Sequence, residues 1–204
     1  GGIYNSNRFV LRALLHQLGC DVVDYGNIPD SFEDTLEAFR KAARKSDLII
    51  TSGGISVGEA DYTKRAVDSL GSMQMWRIAV KPGKPVGKGS VLGVPFIGLP
   101  GNPVSGFVTF LLFAQPLILR LSGRNQVDVK GYMLPLNFDL KGGSRREFIR
   151  VRRNAEGSLE NYRTQNSAVL SSCTWADGLA DIPAEAQLKK GDLVRYIPFS
   201  EFNL

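Results

Sequence analysis

The hydrophobic pattern of the first 124 residues alternates between helical and strand spacing. Apolar residues recur at helical intervals before Gly19, which stands where a helix C-cap is expected. Ser31 and Asp34 together resemble a capping box at the start of a second helix. The pattern therefore predicts four helices: Asn5 to Leu18, a helix following Ser31, about Asp61 to Leu70, and a long helix that begins at Pro103.

Short apolar segments between these helices predict strands. They are Cys20 to Tyr25, Asp47 to Thr51, Met73 to Val80 and Val94 to Gly98. Strands that alternate with helices are typical of a mostly parallel sheet covered by helices on both faces. We therefore expect an α/β fold class, with a three-layer domain spanning residues 1–124.

After Gly123 the pattern changes to short strands separated by Gly, Asn and Pro, with no convincing helix. The predicted strands are Val127 to Leu140, Glu147 to Arg153, Ser158 to Thr164 and Asp192 to Pro198. We expect residues 125–204 to form a second, small all-β domain.

Composition narrows the class of protein. The chain is 43% hydrophobic and 22% charged, which excludes a disordered tail. Because no uninterrupted apolar run reaches membrane-helix length, we expect no membrane-spanning segment. The formal net charge of +5 is too small to indicate nucleic-acid binding by itself. The start at Gly1, without a leader, suggests an excised fragment.

Cysteine and histidine usage limits the metal chemistry. Cys20 and Cys173 lie far apart in the sequence, which favours reduced thiols in a cytosolic protein. With His16 as the single histidine, a zinc site built from His and Cys is nearly excluded. Any catalytic metal is therefore expected to be a hard cation held by oxygen ligands.

The segment from Thr51 to Lys64 has the composition of an anion-binding loop. Its glycines allow backbone N–H groups to approach a phosphate, and Ser52 and Ser56 add hydroxyl donors. Glu59 and Asp61 supply carboxylates that suit a magnesium ion bridging phosphate oxygens. A tight strand-to-helix turn, with Asp61 as the N-cap, explains the same residues equally well.

A second loop, from Leu99 to Ser105, follows the strand predicted at Val94 to Gly98. Asn102 suits an N-cap and Pro103 the first helical position, so the free N–H groups of the helix would face the sheet edge. A helix N-terminus of this kind attracts anions, and Ser105 falls in its first turn. A well-capped structural helix is the alternative.

Between these loops lies the segment from Lys81 to Gly89, in which two prolines restrict the backbone around Lys81 and Lys84. The adjacent sequence contains no acidic residue to neutralise the two lysines. Holding like charges together is costly unless an anion binds there, so the sequence favours an anion site over a solvated hairpin.

An arginine-rich segment runs from Arg145 to Arg153 and includes the strand predicted at Glu147 to Arg153. Strand alternation puts Arg146, Phe148, Arg150 and Arg152 on one face and the apolar residues on the core side. Arginines interleaved with an aromatic also suit nucleic acid. Because the patch is short, a solvated strand face is the favoured interpretation.

Three motifs in this order and spacing resemble one known family. They read SGGISVGEADYTK, KPGKP and GLPGNPVS, and near its start the chain has a similar IYNSNR segment beginning at Ile3. The sequence closely resembles the molybdopterin molybdenumtransferase family, which inserts molybdenum during molybdenum cofactor biosynthesis and is related to the C-terminal domain of gephyrin. The resemblance covers the whole chain, although the family usually has Asp where Asn5 stands.

The resemblance implies a reaction in which adenylylated molybdopterin and molybdate give molybdenum cofactor and AMP, with Mg²⁺ as the divalent cation. It assigns catalysis to Asp61, Glu59, Lys81 and Lys84, and the metal to Asp61 and Glu59. It assigns molybdate to Lys81, Lys84, Ser105, Arg145 and Ser167, the last two from across the domain cleft. It assigns the pterin phosphate or nucleotide to Ser52, Gly53, Gly54, Ser56, Gly58, Gly101, Asn102, Pro103 and Ser105.

The same resemblance implies partners and leaves alternatives. Family members carry a further N-terminal half that helps to form a homodimer, and this half is absent here. A cytoplasmic enzyme with small-molecule substrates is expected, with molybdopterin adenylyltransferase as a possible partner and with no nucleic acid or membrane. The alternatives are a molybdopterin adenylyltransferase itself, which should lack the trailing β-domain, and a non-catalytic binding or scaffold module.

Overall fold

A computed structural model describes residues 5–55, 62–76, 79–83, 85–202 and 204, with the backbone alone at residues 75 and 76. Contacts divide the chain into two compact units. The first contains Gly1–Ile78 and Gly83–Asn125, and the second contains Ala79–Pro82 and Gln126–Leu204.

The described chain contains these helices and strands in sequence order. The helices are α1 (Ser6–Gln17), α2 (Phe32–Ala43), α3 (Tyr62–Leu70), α4 (Pro103–Thr109), α5 (Gln115–Leu121) and α6 (Ser171–Trp175), with a π-helical segment at Phe110–Ala114 and a 3₁₀ turn at Phe199–Phe202. The strands are β1 (Ile49–Ser52), β2 (Gly71–Trp76), β3 (Val80–Lys81), β4 (Val86–Val91), β5 (Val94–Leu99), β6 (Tyr132–Pro135), β7 (Leu140–Lys141), β8 (Arg146–Arg153), β9 (Leu159–Asn161), β10 (Gly178–Ile182), β11 (Gln187–Leu188) and β12 (Leu193–Pro198).

The first unit is a sheet in the order β1-β5-β4-β2 with helices packed on it. Phe39 of α2 and Phe96 of β5 meet with ring centroids 5.6 Å apart, inside an apolar cluster that also contains residues of α3. Ile97 and Leu99 alternate with Phe96 along β5 and are also buried, so both faces of this strand are covered. The α/β class is therefore confirmed.

Two details of the first unit differ from the sequence predictions. The described sheet is mixed rather than mostly parallel, because β1 and β5 are parallel whereas β4 pairs antiparallel with β5 and with β2. The strand predicted at Cys20 to Tyr25 is wrong, because residues 20–29 contain no assigned strand. Apolar composition alone does not supply a strand with a hydrogen-bonding neighbour.

A continuous helical segment, Pro103–Leu121, follows β5. Within the described residues it is the one helix long and apolar enough to cross a membrane by length and composition, with a mean hydropathy of 1.7. However, 61% of its apolar window is buried in the structure, as is ordinary for the core helix of a folded domain.

The second unit is a β-sheet domain, in agreement with the composition of its sequence. Its main sheet has the order β3-β8-β10-β12-β6, with β9 also paired to β8 and a separate β7–β11 pair. A core cluster on one sheet face includes Ile149, Ala180 and Tyr196. The sequence pattern did not predict β10, which is buried throughout, or the short helix α6.

Strand β3 comes from the middle of the first predicted domain but packs in the second unit. Val80 and Lys81 pair in parallel with Arg146 and Glu147 of β8, and the Arg146 backbone N–H donates to the Ala79 carbonyl at 3.1 Å. The chain therefore contributes Lys81 to the arginine-rich sheet.

Candidate anion-binding site

In the first unit, two glycine-containing loops meet at the carboxyl ends of β1 and β5. The Gly53 backbone N–H donates to the Leu99 carbonyl at 2.9 Å. A Cβ atom at Gly101 would lie 3.5 Å from Gly53 Cα, so the two backbones are in close contact. This edge is where open α/β sheets bind ligands.

The first loop requires glycine at both of its central positions. Gly53 and Gly54 have φ angles of +82° and +68°, which side-chain-bearing residues rarely adopt. At Gly54 a Cβ atom would also lie 2.6 Å from Thr63 Oγ1. Because the Gly53 N–H is already bonded to the Leu99 carbonyl, the part of this loop that is open to a ligand without a covering side chain is the exposed backbone at Gly54.

Asn7 joins the two loops, and sequence analysis assigned it no role. The Asn7 side chain is buried, and its Nδ2 donates to Ser52 Oγ at 2.7 Å and to the Gly101 carbonyl at 2.8 Å. The Ser52 hydroxyl donates onward to the Pro100 carbonyl at 3.4 Å. An available signal was the spacing of Asn7 with Leu11 and Leu14, which puts this amide on the buried face of α1.

The second loop leads into α4 as the sequence predicts, with Asn102 preceding Pro103. Asn102 is extended, with φ −66° and ψ 130°, but its side chain makes no capping hydrogen bond. Gly101 and Asn102 are exposed, whereas Ser105 is only 5% exposed. The N–H groups of the first turn lack helical acceptors, so this end of the helix attracts negative charge.

An open groove of about 1300 Å³ runs beside this edge. Its lining includes the four residues Thr51 to Gly54 and residues 19–30. Thr51 Oγ1 is buried and has no hydrogen-bond partner among the described residues. At the groove wall, the backbone N–H of Gly26 and the Arg8 guanidinium hold the pKa of the Asp24 carboxyl below its ordinary value.

Five of the predicted site residues lie outside the described residues: Ser56, Gly58, Glu59, Asp61 and Lys84. Among the residues that are described, no group of three or more His, Cys, Asp or Glu side chains could hold a metal ion. The described donors at this edge are neutral hydroxyl, amide and backbone groups, which do not by themselves form a magnesium site.

In the second unit, Lys81 has a carboxylate partner that its own loop does not contain. Lys81 Nζ lies 3.2 Å from Glu147 Oε2, and the Gly143 backbone N–H donates to Glu147 Oε1 at 3.1 Å. The expectation that no acidic residue neutralises this lysine is wrong, because strand pairing brings Glu147 from 66 residues away. The Lys81 side chain is still 48% exposed.

Arg145 contacts β3, the strand that contains Lys81. Its Nη1 donates to the Val80 carbonyl at 3.2 Å, so its guanidinium is anchored next to Lys81 in the chain. The structure thus brings Lys81 of β3 close in the fold to Arg145, which directly precedes the neighbouring strand β8.

The arginine-rich face of β8 is less solvated than expected. Arg146 is paired with the buried Asp181 through two hydrogen bonds, one of them 2.6 Å from Nε to Oδ1, and Arg195 approaches the same carboxylate at 3.6 Å. Phe148 is 5% exposed and Arg150 is 1% exposed. The favoured interpretation as a solvated strand face is therefore wrong at these two positions, because α6 and the loop that precedes it bond to Arg150.

Ser167 lies in a turn after β9. The Val169 backbone N–H donates to the Asn166 carbonyl at 3.3 Å, and Asn166 Oδ1 accepts from the Ala168 N–H at 2.9 Å. Ser167 is half-buried in this turn.

This geometry defines a class of protein: an α/β unit with a donor-rich strand edge suited to a phosphate-like group, together with a β unit rich in arginine. Family comparison gives the particular family. Residues 1–120 match the family described as probable molybdopterin binding domain, and residues 134–199 match the MoeA C-terminal region (domain IV). The chain belongs to the molybdopterin-binding family, and its second unit matches the MoeA C-terminal region.

Individual proteins agree with this assignment. The molybdopterin molybdenumtransferase of Haemophilus influenzae is 49% identical over 126 residues, covering 62% of this chain and 31% of that protein. The Drosophila melanogaster molybdenum cofactor synthesis protein cinnamon is 35% identical over 190 residues, covering 90% of this chain and 32% of that protein. A crystal structure of a Pyrococcus molybdopterin biosynthesis MoeA protein superposes with a TM-score of 0.81 at 30% identity, covering 97% of this chain and 48% of that chain. The chain therefore spans less than half the length of these relatives.

Proposed function

We propose that this chain forms the molybdopterin-binding and C-terminal domains of a molybdenum-insertion enzyme. In this proposal it transfers molybdate to adenylylated molybdopterin and releases AMP, with the two domains divided near residue 124. The observation that carries the proposal is the pair of glycine loops at the carboxyl ends of β1 and β5, which Asn7 joins by hydrogen bonds to both loops.

The first unit would bind the phosphate-containing substrate. The exposed Gly54 presents its backbone at the sheet edge, beside Ser52 and Gly53, whose own donors bond to the second loop. The exposed Gly101 and Asn102 precede a helix N-terminus. These donors are neutral, so they bind an anion through oriented dipoles without an internal carboxylate that competes for them. Ser56 and Gly58 are proposed to complete the same loop.

Molybdate, a tetrahedral dianion, would be held by cations. Lys81 and Arg145 are anchored on neighbouring segments of the second unit, and an ammonium with a guanidinium suits such an anion. Lys84, Ser105 and Ser167 are proposed to contribute as well. Because Glu147 already contacts Lys81, molybdate would have to share Lys81 with that carboxylate or displace the carboxylate from it.

The proposal includes Mg²⁺ held by Glu59 and Asp61, which would neutralise charge on the pyrophosphate when bound. It also includes a cytoplasmic location, a homodimer formed with the family's N-terminal half, and molybdopterin adenylyltransferase as the source of the adenylylated substrate. The match of residues 134–199 to the MoeA C-terminal region supports insertion over adenylylation.

The direct test is incubation of the protein with adenylylated molybdopterin, Mg²⁺ and molybdate. We expect AMP release that depends on molybdate. Tight pterin binding without AMP release would contradict catalysis by this chain and favour the alternative of a binding or scaffold module.

A variant separates the two substrates. Lys84→Ala should weaken molybdate binding while leaving the affinity for adenylylated molybdopterin largely unchanged, because it removes a cation and no phosphate donor. Lys189→Ala is the matched control, since that exposed lysine pairs with Asp139 outside the proposed site. Calorimetry that finds the same molybdate affinity in Lys84→Ala would rule out this assignment.

A further inference from the structure

Arg150 is a buried cation without an acidic partner. Its residue is 1% exposed, and among the described residues no carboxylate lies within 4.0 Å of its guanidinium. Burial lowers the pKa of Arg150, and the nearby Cys173 opposes this shift. A charge in this position is expensive for the fold, because an apolar side chain of similar volume would avoid the desolvation cost.

The bonds made by Arg150 are concentrated on one loop. Its Nε donates to Ser172 Oγ at 3.1 Å and its Nη2 donates to the Asn166 carbonyl at 3.4 Å. Its backbone N–H donates to Gln165 Oε1 at 3.0 Å, and its carbonyl accepts from Gln165 Nε2 at 3.1 Å. One residue of β8 thus holds both ends of the segment from Gln165 to Ser172.

The enclosed segment has little regular structure of its own. It is a turn followed by the start of α6, and the Ser172 hydroxyl is turned back to the Val169 carbonyl at 2.7 Å. The Asn166 carbonyl that accepts from Arg150 also accepts from the Val169 N–H. The guanidinium therefore hydrogen-bonds directly to the turn that contains Ser167. Without the guanidinium, the turn would lose its side-chain contact with β8 and keep its local bonds and the bonds of Gln165 to the Arg150 backbone.

We propose that Arg150 is a positioning residue that fixes the loop between Gln165 and Ser172 and thereby holds Ser167 ready to bind molybdate. The inference rests on the proposed function for the identity of the ligand. Arg150 itself is too buried to touch the anion, so it acts through the loop. Its charge strengthens the bonds to neutral acceptors, which accounts for a cation in a place where stability alone favours an apolar residue.

The test combines Arg150→Met with Ser167→Ala and measures molybdate binding by calorimetry. We expect Arg150→Met to weaken molybdate binding about tenfold, while the affinity for adenylylated molybdopterin and the thermal midpoint stay close to wild type. In the double variant the two losses should not add, because both remove the same contact. Arg153→Met, on the exposed part of the same strand, is the matched control and should bind molybdate normally.

Unchanged molybdate affinity in Arg150→Met, or full additivity with Ser167→Ala, would overturn the proposal. If Arg150→Met does not fold, Ser172→Ala removes the acceptor of the Nε bond while keeping the guanidinium. It should also weaken molybdate binding selectively, but by less than Arg150→Met. A lack of molybdate binding by the wild-type chain would count against the proposed function alone. Hydrogen exchange then decides the positioning role: amides 166–172 should exchange faster in Arg150→Met but not in Arg153→Met, and equal rates would overturn it.

Discussion

The two units hold their polar groups in different ways. At the strand edge of the first unit, Asn7, Ser52 and the Gly101 carbonyl are joined by neutral hydrogen bonds. In the second unit, the corresponding contacts are ionic, with Asp181 between two arginines and Glu147 against Lys81. The first arrangement offers dipoles that need no counterion, whereas the second offers charges that are already partly compensated. An anion at the sheet edge of the first unit would therefore meet no competing carboxylate, whereas an anion at Lys81 in the second unit would compete with Glu147.

The largest expected effect comes from breaking the ionic arrangement at Asp181. Its side chain is 6% exposed and accepts two hydrogen bonds from Arg146. Asp181→Asn would leave Arg146 and Arg195 close together without a counter-charge. Since Arg146 is half exposed, we expect a loss of about 3 kcal/mol in the free energy of unfolding, at the low end for a buried pair. Urea unfolding would measure the loss.

A control sets the scale for that loss. Asp139 pairs with Lys189 at the surface, with side chains 61% and 79% exposed. Asp139→Asn should shift the urea midpoint far less than Asp181→Asn. Equal shifts in the two variants would show that the Asp181 network is no more than a surface ion pair.

The cysteines extend the comparison to pH dependence. Burial raises the pKa of the Cys173 thiol to about 11, whereas the less buried Cys20 is raised without so large a shift. Because the unfolded thiol ionises at lower pH than the folded one, stability from Cys173 is present below about pH 8.5 and is lost as pH rises towards about 11. The loss should reach about 3 kcal/mol.

The measurement is the difference in unfolding free energy between wild type and Cys173→Ala across that pH range. The difference should shrink as pH rises, and Cys20→Ala should show a smaller dependence. A difference that is constant with pH would mean that the Cys173 thiol is not protected by burial. Alkylation below about pH 8.5 should also be faster at Cys20.

Local sequence signals predicted those parts of the structure that depend on local chemistry. Gly19 ends α1, Ser31 caps α2 by accepting from the Asp34 N–H, and Pro103 begins the long helix. Pairing between distant segments was not predictable in the same way. β10 is a central strand that owes its place to β8 and β12, and an apolar pattern of five residues does not specify its neighbours.

The same distinction holds for the candidate site. The tight turn of the first loop could be predicted from its glycines, because glycine is the residue that a positive φ angle favours. The contact of Lys81 with Glu147 and the role of Asn7 could not, because each joins segments that are far apart in the sequence. The hydrogen-bond partners of Asn7 become known only when the position of α1 against the two loops is known.

Asn7 tests the neutral arrangement. Asn7→Ala would remove both donor bonds and leave the Gly101 carbonyl and the Ser52 hydroxyl, which are partly buried at these contacts, without this partner. We expect a loss of about 2 kcal/mol in unfolding free energy and weaker binding of adenylylated molybdopterin. Asn5→Ala is the control, because Asn5 is an exposed N-cap of the same helix and should cost about 1 kcal/mol without affecting the ligand. Equal losses in stability and affinity for the two variants would contradict a linking role for Asn7.

The smallest expected effect on stability is the difference between alanine substitutions at Gly53 and at Gly101, whose backbones lie close together. Gly53→Ala should cost about 1 kcal/mol, because the +82° φ angle strains any residue with a Cβ atom. Gly101→Ala should be nearly neutral for stability, since its Cβ would make only an ordinary contact with Gly53 Cα at 3.5 Å. If backbone approach to a phosphate is what these loops provide, both alanines should weaken adenylylated molybdopterin binding while only one lowers the unfolding free energy. A binding loss confined to Gly53→Ala would assign the effect to strain in the first loop and remove Gly101 from the binding site.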